Sequence, residues 1–317
     1  MKRPKAVVIG GSGHIGSYLV PMLATRNFDV TVFSRGNTNP YPKSVAWEGV
    51  EFIHANRQEK EKSGHWQEKL EDVSPDVIVD IVCMEPESAR IMADFLKGRD
   101  THLVSIGTVW VYGKTERVPT PEWAPRYPEN DYARKKTVIE KELIERTRQG
   151  NIRATIIHPG HITGPGKPFI TPFGDNDPST VQKIMEGKEI ILLDGGFSTL
   201  HHVHPSDVAG MCFRSLEKPS EAVGESFNCC APYAMTFYGL GRFIARLFEQ
   251  EFIFRNLSLE EYSEQFGVPE MAALHVRQGC CVSMQKALDL LDFTPRYAPE
   301  EAIREAIDDM ITRGILK

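Results

Sequence analysis

This 317-residue chain has no run approaching the roughly 20 apolar residues that a membrane-spanning helix requires, so no membrane partner is expected. The apolar stretch Ala6–Ile9, behind the basic Met1-Lys2-Arg3-Pro4-Lys5, is also too brief for the core of a secretory signal. Basic runs are missing too. With 43 acidic against 37 basic residues the formal charge is −6, and without a basic stripe no nucleic acid is expected as the main ligand. The six cysteines (Cys83, Cys212, Cys229, Cys230, Cys280 and Cys281) include no CxxC spacing, and neighbours such as Cys229 and Cys230 are poorly placed to bridge. They read as reduced thiols of a cytoplasmic protein. A metal site is not expected either. Within His201-His202-Val203-His204 a strand puts only His202 and His204 on one face, whereas zinc needs at least three ligands and a supporting shell.

What remains is a globular chain, long enough for one large core or a main domain with a smaller appendage. Up to about residue 158, short β-rich runs alternate with helical stretches, the pattern of a parallel sheet covered on both faces. Strands are expected at Ala6–Ile9, Val30–Phe33, Glu51–His54, Val77–Ile81, His102–Ser105 and Ala154–His158. Helices are expected at Ile15–Arg26, Gln58–Asp72, Glu87–Lys97 and Tyr132–Arg148. Beyond Gly164 a proline- and glycine-rich loop leads into short helices, isolated strands at Glu189–Leu193 and Ser226–Cys229, and a helical tail at Glu300–Thr312. The division predicted is 1–163 for a dinucleotide-binding domain and 164–317 for a mainly substrate-binding part, some of whose segments return to the first core.

The first strand runs into Gly10-Gly11-Ser12-Gly13-His14-Ile15-Gly16, which opens the first helix. Strand, glycine turn and helix aim backbone N–H groups and a positive helix end at a phosphate, and glycine serves where φ is positive or where a phosphate leaves no room for a Cβ. The spacing is GxxGxxG, not the commoner GxGxxG. At the end of the second strand, Ser34-Arg35 offers a guanidinium where an NAD site usually has a carboxylate. This favours NADP over NAD, with a solvated loop arginine as the alternative reading of Arg35.

Farther along, Tyr132 and Lys136 lie one helical turn apart and point into the same space. A free phenol titrates near ~10, too high for a base at neutral pH. An adjacent ammonium favours the phenolate, so Lys136 is expected to lower that value and fit Tyr132 for proton exchange with a substrate hydroxyl. Thr108, after the fifth strand, supplies a hydroxyl to orient the substrate oxygen.

These features together resemble an extended short-chain dehydrogenase/reductase of the NAD-dependent epimerase/dehydratase family. The resemblance runs through Gly10–Gly16, Val111-Tyr112-Gly113, Tyr132 and Lys136, His158–Gly166, His204-Pro205-Ser206-Asp207-Val208-Ala209 and Leu291–Tyr297. It implies an α/β fold with a Rossmann-type doubly wound parallel sheet and a smaller C-terminal substrate-binding part. Counting back from Val111-Tyr112-Gly113 makes Thr108, not Ser105, the counterpart of the family's catalytic Ser/Thr. By resemblance, Tyr132 is the acid/base, Lys136 binds the nicotinamide ribose and tunes Tyr132, and Thr108 holds the substrate oxygen. The implied cofactor site comprises Gly10, Ser12, Gly13, His14, Ile15, Gly16, Ser34, Arg35, Asn56, Arg57, Cys83, Tyr132, Lys136 and Pro159. His204 and Asp207 become structural anchors of the following helix, and a homodimer through the helices at 87–97 and 132–148 is implied.

Departures from the family pattern bear on the reaction. Val109-Trp110 stand where 4,6-dehydratases carry an Asp-Glu pair, which argues against dehydration. Asn56 stands for a frequent aspartate, with an amide still able to read an adenine edge. His158 replaces a frequent arginine after strand six. Trp110 and His161 are candidate substrate contacts near strand C-terminal ends. Arg255 and Arg277 are candidates to grip a diphosphate or carboxylate, and Cys83 reads as pocket wall.

The expected activity is an NAD(P)-dependent epimerase, or a net reductase, acting on a hydroxyl or keto carbon of a sugar or sugar nucleotide. A reductase of a non-nucleotide carbonyl is an alternative. So is a non-catalytic dinucleotide-sensing or RNA-associated binding protein on the same fold.

Overall fold

The computed structural model describes residues 3–36 and 44–317. Strands β1 (Lys5–Ile9), β2 (Asp29–Ser34), β3 (Glu51–His54), β4 (Val77–Asp80), β5 (His102–Ile106) and β6 (Arg153–Pro159) join Ser226–Cys229 in one seven-stranded sheet. Its order is Ser226–Cys229, β6, β5, β4, β1, β2, β3, and every pairing is parallel.

A parallel sheet needs cover on both faces, and the alternation along β1 shows how it is supplied. Ala6 and Val8 face a cluster with Leu19, Val20 and Leu23 of α1 (Gly16–Thr25) and with Val208 and Met211 of the helix Pro205–Glu217. Val7 and Ile9 face the opposite cluster, built with Leu70 of α3 (His65–Val73), Met92 of α4 (Pro86–Leu96) and Leu143 of α5 (Asp131–Arg148). The result is the doubly wound α/β architecture expected.

Two elements differ from the sequence reading. The single helix expected over 58–72 is two, α2 (Arg57–Lys62) and α3, broken at Gly64, whose φ of +75° has no place inside a right-handed helix. Ser226–Cys229, expected as an isolated strand, is the outer strand of the main sheet, with Ser226 opposite Ile156. Phe227 and Cys229 are fully buried by that pairing.

Residues beyond 163 therefore serve two cores. Pro205–Glu217 and Ser226–Cys229 complete the sheet layers. The helices Pro178–Met185, Phe237–Leu247 and Pro299–Thr312 bury Val181, Leu240, Ile244, Ile303 and Ile307 in a separate apolar cluster. Among the described residues no helix is long and apolar enough to cross a membrane.

Candidate active site

The sheet order reverses between β1 and β4, which opens a crevice at the C-terminal ends of the strands. The glycine turn lies at its edge. Gly10, at φ +83°, donates its N–H to the Phe33 carbonyl at 2.8 Å, and the Gly13 N–H closes the turn on the Gly10 carbonyl at 3.0 Å. A Cβ on Gly16 would lie 2.3 Å from the Gly11 carbonyl oxygen, so only glycine lets α1 start this close to β1. Ile15 precedes that helix without a side-chain cap, which suits its N-terminus to an anion.

Ser12 and Ser34 share a hydrogen bond at 2.9 Å, and the Gly36 N–H donates to the Ser34 hydroxyl at 3.0 Å. Arg35 is exposed beside them. His14 is buried and bonded to the backbone of Pro165 and Gly164, tying the proline–glycine loop to the turn. Burial, aided by Lys167, lowers its pKa to about 4, so the ring is neutral. These residues fit a dinucleotide: backbone-lined turn, bare helix start, and a hydroxyl pair with a guanidinium at the far end.

The second half of the site comes from α5, whose N-cap Asn130 accepts from the Ala133 N–H at 2.8 Å. Lys136 is 1% exposed and donates to the carbonyls of Ile106 at 2.6 Å and Cys83 at 2.9 Å. It thus fastens the helix to the ends of β4 and β5. Tyr132, one turn earlier, comes near enough to the Thr108 hydroxyl for that group to lower its pKa. Thr108 caps the short 3-10 turn Val109–Tyr112, its hydroxyl accepting from the Trp110 N–H at 3.3 Å. The expected group of three side chains is brought together.

The charged and polar ends of this group point in different directions. Although Tyr132 is 43% exposed as a residue, desolvation raises the phenol above its ordinary value while the nearby Thr108 hydroxyl pulls the other way. The Lys136 ammonium is not aimed at the phenol. Its Nζ lies 5.9 Å from the Tyr132 ring centroid, turned to the two carbonyls, and burial lowers its own pKa. The spacing correctly implied proximity, but not where the ammonium points.

Arg57, expected beside a cofactor, has partners within the protein. Its guanidinium donates to Glu61 and Asp80 at 2.6 Å each and to the Ser88 carbonyl at 3.2 Å, so it is engaged within the protein. Asp80 is almost fully buried, and pairing it consumes the cation. Asn56 donates to Glu59 at 2.8 Å. Cys83 is buried, and desolvation pushes its thiol up to about 12, which suits a wall and not a nucleophile. Pro159 ends β6, buried.

Trp110 and His161 are near neighbours, with ring centroids 6.1 Å apart. Both approach a residue the sequence reading missed: His275, 4.9 Å from Trp110 and 5.2 Å from His161. His275 belongs to the helix Glu270–Gln278, 167 positions from Thr108, and no local pattern marks it. Burial lowers the pKa of both histidines, His161 strongly, so this wall is of neutral rings. Arg255 and Arg277 are not drawn into the group. Arg255 lies on the exposed strand Phe254–Leu257, 3.9 Å from Glu189, and Arg277 is exposed. His204 and Asp207 hold structure: His204 caps the helix Pro205–Glu217, and Asp207 accepts from the N–H groups of Arg296 and Tyr297 at 3.1 Å. No cluster of potential metal ligands occurs among the described residues.

A groove of about 850 Å³ flanks the outer side of α5, lined by Trp123, Arg126, Lys141 and Lys286 among others, but it includes none of Thr108, Tyr132 or Lys136.

A reversal crevice, a glycine turn and a Thr–Tyr–Lys group on one wall define a Rossmann-type short-chain dehydrogenase-like protein. The chain belongs to the NAD dependent epimerase/dehydratase family, whose pattern matches residues 6–230. It is 23% identical over 220 residues to the 2'-dehydrokanamycin reductase of Streptomyces kanamyceticus, covering 69% of this chain and 60% of that protein. With the UDP-glucose 4-epimerase of Azospirillum brasilense it shares 24% identity over 173 residues, 51% of this chain and 50% of the relative. The matched segments thus span only half to three-fifths of the length of these curated relatives. Among solved structures, the UDP-N-acetylglucosamine 4-epimerase of Methanobrevibacter ruminantium, in complex with UDP-N-acetylmuramic acid, superposes with a TM-score of 0.77 at 18% identity, over 99% of this chain and 100% of that one. At that identity the likeness establishes the fold.

Proposed function

We propose that this chain binds a nicotinamide dinucleotide at the Gly10–Gly16 turn and acts as an oxidoreductase or epimerase at a hydroxyl- or keto-bearing carbon of a sugar or sugar nucleotide. The observation that carries the reading is the gathering of Thr108, Tyr132 and Lys136 at the crevice, with α5 anchored by the buried Lys136. When bound, the dinucleotide supplies the hydride donor or acceptor. Gly10, Gly13, Ser12 and the start of α1 would hold its phosphates, Ser34 and Arg35 its adenosine end, and Lys136 with the Cys83 backbone its nicotinamide ribose.

The protein's share is orientation and a proton. Thr108 and Tyr132 present two hydroxyls to one substrate oxygen, and a phenol kept protonated by its raised pKa donates to a carbonyl oxygen as that oxygen gains charge. This state suits reduction of a ketone, and the exposed guanidinium of Arg35 suits NADP; both favour net reduction. Val109 and Trp110, which follow Thr108, offer no acid or base for dehydration. A second reading, reduction of a non-nucleotide carbonyl compound, draws support from the neutral wall of Trp110, His161 and His275, which has no guanidinium for a diphosphate.

The test is titration of the purified protein with NADPH and NADH, then assay with UDP-glucose, UDP-N-acetylglucosamine and a non-nucleotide keto sugar. Tyr132→Phe should keep dinucleotide binding while turnover drops roughly 10²–10⁴-fold. Stoichiometric loss of NADPH marks a reductase; sugar interconversion without it marks an epimerase. Binding of neither dinucleotide would overturn the proposal.

A further inference from the structure

Behind the Thr108 backbone lies a buried polar chain that the proposed reaction leaves unused. The Thr108 N–H donates to His158 Nδ1 at 3.0 Å, and the opposite ring nitrogen, Nε2, is 3.0 Å from Glu140 Oε1. His158 is fully buried. A backbone N–H can only donate, so Nδ1 is the acceptor, Nε2 carries the hydrogen and Glu140 receives it.

Glu140 is itself locked. Its two oxygens accept from Arg126, Nη2 at 2.6 Å and Nε at 3.0 Å, and Oε1 also accepts from the Ser226 hydroxyl at 2.8 Å. Arg126 is in turn pinned to the carbonyls of Glu122 at 2.8 Å and Ala124 at 2.6 Å. Glu140 stands on α5 eight residues beyond Tyr132, on the face that also carries Lys136. The path Tyr132–Thr108–His158–Glu140 therefore leaves α5, crosses β5 and β6, and returns to the same helix. Gly107 makes room for it: a Cβ there would lie 2.3 Å from His158 Nδ1.

We infer that His158 is a positioning residue that, through its bond to the Thr108 N–H, holds that backbone so that the Thr108 hydroxyl faces Tyr132. A buried histidine that merely satisfies its own nitrogens would matter equally through both bonds. A positioning histidine matters chiefly through the bond to Thr108.

The two amide side chains separate these roles. His158→Asn puts an acceptor oxygen near the site of Nδ1 and gives up Glu140; His158→Gln reaches Glu140 and gives up Thr108. Gly107→Ala displaces the ring without altering it. The inference rests on the proposed chemistry for its kinetic arm, so a substrate-free readout accompanies it: NMR of the protein labelled at tyrosine Cζ, with Tyr132→Phe assigning the Tyr132 signal and Tyr233, bonded to Glu300, as a remote control.

His158→Asn should leave the Tyr132 signal in place and kcat within about threefold of the parent. His158→Gln and Gly107→Ala should move that signal and lower kcat by about tenfold or more, a misplacement effect, with NADPH affinity unchanged. An unmoved Tyr132 signal in His158→Gln and Gly107→Ala, or equal displacement in His158→Asn and His158→Gln, would overturn the assignment. If His158→Gln does not fold, Gly107→Ala decides. Absence of turnover in the parent protein counts against the proposed function alone, because the NMR arm still decides on His158.

Discussion

The ammonium of Lys136 is tied to the carbonyl of Ile106 at 2.6 Å, at the point where β5 gives way to the segment carrying Thr108. With its second bond, to Cys83, this makes Lys136 a buried rivet between the helix of Tyr132 and the floor of the crevice. Replacing it by methionine keeps the volume and stem but leaves two buried carbonyls short of a donor, each costing about 1–3 kcal/mol. Lys136→Met is expected to lower the unfolding midpoint and to weaken NADPH binding, both measurable by thermal shift with and without the dinucleotide. An unchanged midpoint would contradict the rivet.

The raised pKa of Tyr132 sets the direction of the pH response. Reduction needs the protonated phenol, the form lost as pH rises through that pKa, above the ordinary ~10. The reductive rate should therefore hold level from neutral pH up to about 10 and decline only beyond, while the oxidative rate should climb with pH. A reductive rate already falling below pH ~8 would restore the acidified phenol that the Tyr–Lys spacing suggested.

Arg35 is exposed and follows the hydroxyl of Ser34, so its substitution should leave the fold intact. Arg35→Asp is expected to weaken NADPH binding about 10- to 100-fold, the worth of one or two charge-assisted hydrogen bonds, and to leave NADH unaffected or improved. Fluorescence titration of both reduced dinucleotides reads this directly. Equal losses for the two would remove Arg35 from the 2′-phosphate site.

Gly16→Ala tests the turn itself. Its Cβ would meet the Gly11 carbonyl oxygen at 2.3 Å and Gly11 Cα at 2.5 Å, backbone atoms that cannot swing aside. Helix α1 must then move off β1, at a cost of about 1–3 kcal/mol. Chemical denaturation should show that loss, and dinucleotide affinity should fall with it.

Acid should unfold this protein early. Burial lowers His102 and His201 to about 4 and His202 to about 3, against about 6.5 in an unfolded chain. Above pH ~6.5 neither state protonates these rings and their contribution is complete. Below it the unfolded chain takes up protons first, and stability falls by about 1.4 kcal/mol per pH unit for each ring until the folded values are reached. Glu140, held well below the carboxylate range by His158 and Arg126 against the opposing effect of burial, adds a second loss in stronger acid. Unfolding midpoints from pH 7.5 to 4.5 check this, and a flat profile would refute it.

The amino-acid order by itself determined the strand–turn–helix at Gly10–Gly16, the run of parallel strands through β6, and the Thr108, Tyr132 and Lys136 group. Each rests on a local rule: glycine where φ is positive or space is lacking, apolar runs where both faces are covered, a shared helix face at four-residue spacing. Tertiary structure decided what depends on direction and distant partners. It turned Lys136 toward two carbonyls, committed Arg57 to Asp80 and Glu61, and brought His275 from a remote helix against Trp110 and His161. It also set Ser226–Cys229 at the edge of the main sheet and His158 against Thr108. The physical reason is common to all of these: a side chain's identity is local, but its hydrogen-bond partners and dielectric surroundings are supplied by segments that only the folded core brings within reach.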